Sequence, residues 1–186
     1  DDRAAVIDTG ISPGQKILPL IRKYTSKPLI LVLTHAHIDH WYHMDEFETV
    51  YMCHREFEVG PDALRDMMAD KELHPERTLD IRTDTRIELG GTALSVCEVP
   101  GHTPGSVVVL DERSNRLFTG DAIGSGYGVW MQTPTAVPLE TYYESLVHLL
   151  KWLVDRGGRM AFHGGHRYQM FQSTHVPSFN PPSLGL

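Results

Sequence analysis

The sequence predicts a mixed α/β domain, and two observations carry that expectation. Apolar runs of strand length, such as Leu29 to Thr34 and Ser106 to Leu110, alternate with Gly, Pro and Asp turns, while Leu139 to about Asp155 repeats its apolar residues at helical spacing. A third observation bears on function: His35-Ala36-His37-Ile38-Asp39-His40 follows directly on the first of those apolar runs.

Taken in order, Ala4-Ala5-Val6-Ile7 reads as a short buried strand closed by Asp8-Thr9-Gly10, then a Pro/Gly turn and an amphipathic helix near Gln15 to Tyr24. Leu29 to Thr34 is the next strand. A strand near Thr49 to Cys53 and a surface helix from about Asp62 to Lys71 come next. From Arg86 the pattern turns to β. Arg86 to Leu89 and Thr92 to Val99 form one hairpin about Gly90-Gly91, and Ser106 to Leu110 and Arg116 to Thr119 form another. The long helix that follows has Pro138 at its start and Gly157-Gly158 at its end, with Tyr142, Leu146, Leu149, Leu150 and Leu153 on one apolar face. Met160-Ala161-Phe162 makes a last short strand. Residues 1–186 read as one domain without internal repeats, and Ser173 to Leu186, rich in Pro and Ser, as an extended tail.

A chain of 186 residues can bury a core without disulfides or structural metals, so a bound metal is expected to be functional. The composition, 41% hydrophobic and 22% charged, is that of a soluble globular protein, and no apolar run reaches the length of a membrane span. Net charge is −7 with the basic residues scattered, which disfavours nucleic acid as a partner. Cys53 and Cys97 sit in strand-like surroundings and read as free thiols of a reducing, cytoplasmic compartment. The chain opens abruptly on Asp1-Asp2-Arg3 and runs straight into a strand, so a processed, trimmed or incomplete N-terminus is expected.

Residues two apart in an extended stretch point the same way, so His35 and His37 can share one cation, and a turn after Ile38 can swing Asp39 and His40 toward a second. Imidazole and carboxylate suit zinc, with iron and manganese as rivals. Three further strand ends carry ligand-type residues: His102 in Gly101-His102-Thr103-Pro104-Gly105, Asp121 after Phe118-Thr119-Gly120, and His163 and His166 around Gly164-Gly165. The glycines suit a backbone that turns sharply beside a metal. His43, His54, His74, His148 and His175 lack such spacing and read as surface or core residues.

In this order the residues resemble the metallo-β-lactamase-fold hydrolases, whose pattern is His-x-His-x-Asp-His, then His, Asp and His. The match falls on His35, His37, Asp39, His40, His102, Asp121 and His166, with Asp8-Thr9-Gly10 as an early motif, and spans Val6 to His166. The resemblance implies a four-layered αβ/βα sandwich, two mixed β-sheets flanked by helices, with a metal site at one edge. It implies one metal on His35, His37 and His102, a second on Asp39, His40 and His166, and Asp121 bridging both. His163 competes with His166 for the last position; the glycine-containing turn favours His166.

Two divalent ions about 3.5 Å apart can share a water, lower its pKa and polarise a substrate oxygen. The expected reaction is hydrolysis of a small ester, thioester or lactone, with Asp39 and Asp121 as the catalytic carboxylates. The aspartate in the bridging role argues against β-lactam antibiotics as the main substrate. Two other readings stand beside this one: a mononuclear iron oxidoreductase resembling the persulfide dioxygenases, and a non-catalytic metal-binding member. Where the family commonly has small residues after its first motif, this chain has Trp41-Tyr42-His43-Met44. Trp41, Tyr127 and Trp130 are therefore candidate substrate-lining residues, weighed evenly against simple packing. The expected partner is a small-molecule substrate, with neither nucleic acid nor membrane, and a homodimer is left open.

Overall fold

The computed structural model describes residues 2–59, 71–124 and 128–166, and within them two sheets lie face to face. The first has the order β1 (Ala4–Ile7), β2 (Leu29–Val32), β3 (Val50–Met52), β4 (Leu79–Asp80). All three pairings are parallel, so this sheet is not mixed as the resemblance implied. The second is mixed: β5 (Arg86–Glu88), β6 (Ala93–Glu98), β7 (Val107–Asp111) and β8 (Arg116–Gly120) run antiparallel in turn, and β9 (Ala161–Gly164) joins β8 in parallel. Both predicted hairpins form, at Ile87↔Leu94 and Leu110↔Leu117.

Three layers of core explain why the central strands read as unbroken apolar runs rather than alternating ones. Ile30 and Val32 of β2 point inward and meet Leu94, Val96, Val107 and Val109 between the sheets. The alternate residues, Leu31 and Leu33, point outward, under Trp41, Met44 and Phe47. On the far side Cys97, Val108, Leu110 and Leu117 face Leu149 and Trp152 of the long helix. This is the four-layered αβ/βα sandwich. Deleting a side chain such as Leu31, fully buried, is expected to cost about 2–5 kcal/mol. Cys53 and Cys97 are buried free thiols.

Helix α1 is only Leu18–Ile21, shorter than the predicted Gln15 to Tyr24. Pro19 has no N–H to give and is tolerated only in a first turn, so the helix cannot begin much before it. Helix α2 is Ile38–Trp41, and α3 runs Leu139–Asp155 as predicted. Its buried face holds Ser145, Leu149 and Trp152, whereas Leu150, predicted on that face, is 46% exposed. One residue further along a helix is rotated by about 100°, and Trp152 takes the inward place. The helix expected over Asp62 to Lys71 lies, except for Lys71, outside the described residues, as does the tail from Ser173.

Candidate metal centre

The seven predicted ligands converge at one end of the sandwich. Thr34 lies two residues past β2, and its carbonyl accepts a bond from the Val107 amide of β7, tying the two sheets where the ligands begin. His35 follows. His37, still extended at φ −77° and ψ 141°, occupies the N-cap of α2, and the first turn of that helix swings Asp39 and His40 away from the His35/His37 direction. The β6–β7 turn supplies His102, the residue after β8 is Asp121, and His166 stands two residues beyond β9.

Three ligand groupings emerge, each with candidate donor atoms within 4.8 Å of one another: His35/His37/His102, His35/His40/Asp121 and Asp39/His40/His166. Asp121 lies between the other two groups. Its Oδ1 is 3.7 Å from His40 Nε2, and its Oδ2 is 3.1 Å from His166 Nε2 and 3.7 Å from His102 Nε2. Gly165 is the residue that permits this approach, because a Cβ there would sit 2.6 Å from Asp121 Oδ1 and 2.8 Å from His40 Cε1. His163 joins none of the groups. Its ring stacks on Phe118 at 5.4 Å, and burial lowers its pKa.

The nitrogens that point away from the centre are held, which fixes the ones that point in. Thr34 Oγ1 donates to Asp8 Oδ2 at 2.8 Å, so it must accept from His35 Nδ1 at 3.1 Å. His102 Nδ1 donates to the Trp130 carbonyl at 2.6 Å and His40 Nδ1 to Asp8 Oδ2 at 2.7 Å. His37 Nε2 pairs with Thr135 Oγ1 at 3.1 Å. The opposite nitrogens of His35 and His40 are buried without a hydrogen-bond partner, as is Asp121 Oδ1. Buried polar atoms left unpaired in one small space are costly, and a cation would satisfy them once His40 gives up its proton. Five imidazoles and two carboxylates fit a divalent metal such as zinc, iron or manganese.

Electrostatics divides the group in two. Burial lowers the His35 pKa well below the usual value, with the neighbouring histidines adding to it, and burial with His102 takes His37 to about 4. Burial also lowers His102. These three rings are neutral at physiological pH and need no deprotonation to bind a cation. Burial opposes charge on His40 as well, yet Asp8, Asp121 and Asp39 overcome it and raise the pKa to about 9.

Of the candidate substrate-lining residues, Trp41 is a correction. Its ring is 1% exposed in the core beneath α2, and Nε1 donates to the Ala36 carbonyl at 2.9 Å, so it props the ligand loop from below. Its neighbours follow suit: Met44 is core, and His43 is buried between Ser12 Oγ at 2.8 Å and Glu46 Oε1 at 3.0 Å. Glu46 in turn accepts the amides of Ile17 and Leu18 ahead of α1. The unusual Trp41 to Met44 stretch thus serves packing. Trp130 has a 66% exposed indole beside the site, and Tyr127 lies outside the described residues.

Sequence reasoning missed the supports. Asp8, in the left-handed region at φ 57°, also accepts the Thr34 amide at 2.8 Å and so holds both ends of the His35 to His40 run. Its place in Asp8-Thr9-Gly10 after a strand was the available signal. Glu56 is fully buried and accepts from Thr103 Oγ1 at 2.5 Å, with no signal in its own neighbourhood.

Comparison with known proteins agrees with this geometry. Residues 1–166 match the family described as the metallo-beta-lactamase superfamily. The probable metallo-hydrolase YqgX of Bacillus subtilis is 26% identical over 201 residues, 99% of this chain and 90% of the relative. The human acyl-coenzyme A thioesterase MBLAC2 is 28% identical over 190 residues, 84% of this chain and 66% of the relative. The match to Rv2581c of Mycobacterium tuberculosis, 27% over 136 residues, takes in 61% of each chain. Among solved structures, TTHA1623 in a di-iron-bound form superposes with a TM-score of 0.61 at 24% identity, over 92% of this chain and 87% of that one.

Proposed function

The chain belongs to the metallo-beta-lactamase superfamily, and from that membership we propose that it is a dinuclear metal-dependent hydrolase of a small ester, thioester or lactone. The observation that carries this reading is the central position of Asp121, within reach of His40, His102 and His166 at once, beside unpartnered nitrogens of His35 and His40. His35, His37 and His102 would hold one ion, Asp39, His40 and His166 the other, with Asp121 shared. Divalent ions bound there supply Lewis acidity, which makes water a stronger acid and polarises a carbonyl oxygen. The di-iron form of TTHA1623 supports iron as a rival to zinc.

The chain's own groups would do the rest. Thr34 and the Trp130 carbonyl keep protons on the outward nitrogens of His35 and His102, so their inward lone pairs would be presented without reorganisation, while Asp8 orients the His40 ring. Asp39 is the more open carboxylate, 36% exposed against 15% for Asp121, and stands where it can accept a proton from an attacking water. The relative MBLAC2, named an acyl-coenzyme A thioesterase, puts thioesters first among the substrates to try.

The test is metal analysis of protein purified without chelator, together with turnover of a panel of acyl-coenzyme A thioesters, lactones and simple esters. Two ions per chain are expected, with hydrolysis lost on chelation and restored by metal. Full activity with no more than one ion per chain would sink the dinuclear form. Oxygen uptake with glutathione persulfide and iron alone would favour the dioxygenase reading instead.

A further inference from the structure

We propose that Glu56 is a positioning residue for the three-histidine half of the centre, a buried carboxyl that fastens the His35-Ala36-His37 loop to the His102 turn. The proposal rests on the metal-centre reading above. Glu56 lies in a short 3-10 segment, His54–Val59, just after β3, and belongs to neither loop. Its Oε1 takes the Thr103 hydroxyl at 2.5 Å, next to His102, and that hydroxyl also meets Ser106 Oγ at 2.7 Å. The amides of Ala36, between His35 and His37, and of Gly105 favour its charged form. Oε2 has no partner meeting full hydrogen-bond geometry.

Packing makes the same point. A Cβ on Gly105 would stand 2.6 Å from Glu56 Cγ and 2.7 Å from its backbone nitrogen, so the turn after His102 closes directly onto the Glu56 stem. The glycine of the His102 turn therefore answers to Glu56, not to a metal. A fully buried carboxyl, with ligand-bearing backbone on two sides, is an expensive choice for packing alone. It is well suited to setting the separation of His35, His37 and His102. Asp8 is a different kind of support, since it binds His40 of the other half directly and reaches His35 through Thr34.

The prediction is therefore selective. Stepwise Co(II) titration of the metal-free protein, followed by visible absorption, reads two binding steps in the parent chain. Glu56→Gln replaces an acceptor by a donor toward the Ala36 and Gly105 amides, and it should weaken one step by about 10–100-fold and leave the other within about threefold. His166→Ala, in the other half, should weaken the other step. Thr103→Val should reproduce the Glu56→Gln effect, Thr103→Ser should restore it, and the Glu56→Gln/Thr103→Val double variant should lose little more than either single one. These threonine variants carry the test if the Glu56 variant does not fold. Unchanged Co(II) affinities and spectra in a folded Glu56→Gln, with only thermal stability reduced, would overturn the proposal. So would loss of the same step in both His166→Ala and Glu56→Gln. A parent chain that binds no Co(II) would instead overturn the metal-centre reading itself.

Discussion

The two halves of the centre are built from similar side chains and yet differ in almost every physical respect. His35 and His102 are 1% exposed, their outward nitrogens rest on a hydroxyl and a carbonyl, and burial keeps the whole trio of His35, His37 and His102 uncharged. Across the centre, Asp39 and His166 are about one-third exposed, and His40 is held charged in the metal-free chain by three carboxylates. One half is a largely buried, neutral, preformed socket. The other is open, acidic and must shed a proton from His40 before a cation can take its place. Under the proposed dinuclear reading the difference implies a division of labour: the socket would anchor, and the open half, with Asp39 at its mouth, would meet water and substrate.

The largest test of that division is the residue the halves share. Asp121→Ala should lower turnover by about a thousandfold, on the order of 4 kcal/mol, and should reduce metal content at both positions. Loss of a single ion would show that the halves are independent.

Next in size is the carboxyl behind the socket. Burial pushes the Glu56 pKa up to about 7 against the pull of Thr103 and the Ala36 and Gly105 amides. A folded-state pKa raised above the unfolded value means that the native chain holds its proton longer. Stability from this group is thus full below about pH 4.5 and is lost as pH rises to 7, by roughly 3 kcal/mol. Chemical denaturation of metal-free protein should show the stability advantage of the parent over Glu56→Gln shrinking by about that amount between pH 5 and 8. A constant difference would mean that Glu56 does not titrate in this range. The smallest effect belongs to the exposed indole beside His102: Trp130→Ala should leave stability within about 0.5 kcal/mol and metal content unchanged. A change in KM without a change in metal affinity would place the indole against substrate.

What the sequence disclosed follows from the range of the interactions involved. Strand runs, hairpins and the span of α3 are local, and they were legible because periodicity and turn residues act over a few positions. The convergence of the seven candidate ligands was legible because they sit where strands end, in an order that matches a family pattern. Trp41 was misread for a geometric reason: standing next to a ligand on a helical turn rotates a side chain away from it, here into the core. Leu150 was misread on α3 by the same rotation. Glu56 was invisible because its partners, at positions 36, 103 and 105, come from two loops far from it in sequence, and nothing around it marks a buried carboxyl.

The central claim is that the socket and the open half form one centre with Asp121 between them. Electron paramagnetic resonance of the chain loaded with one and then two equivalents of Co(II) tests it without a substrate. A shared carboxylate predicts that the second equivalent couples the two spins, so that signal per ion falls well below that at one equivalent. A signal that simply doubles, or saturation at one ion per chain, would contradict the account.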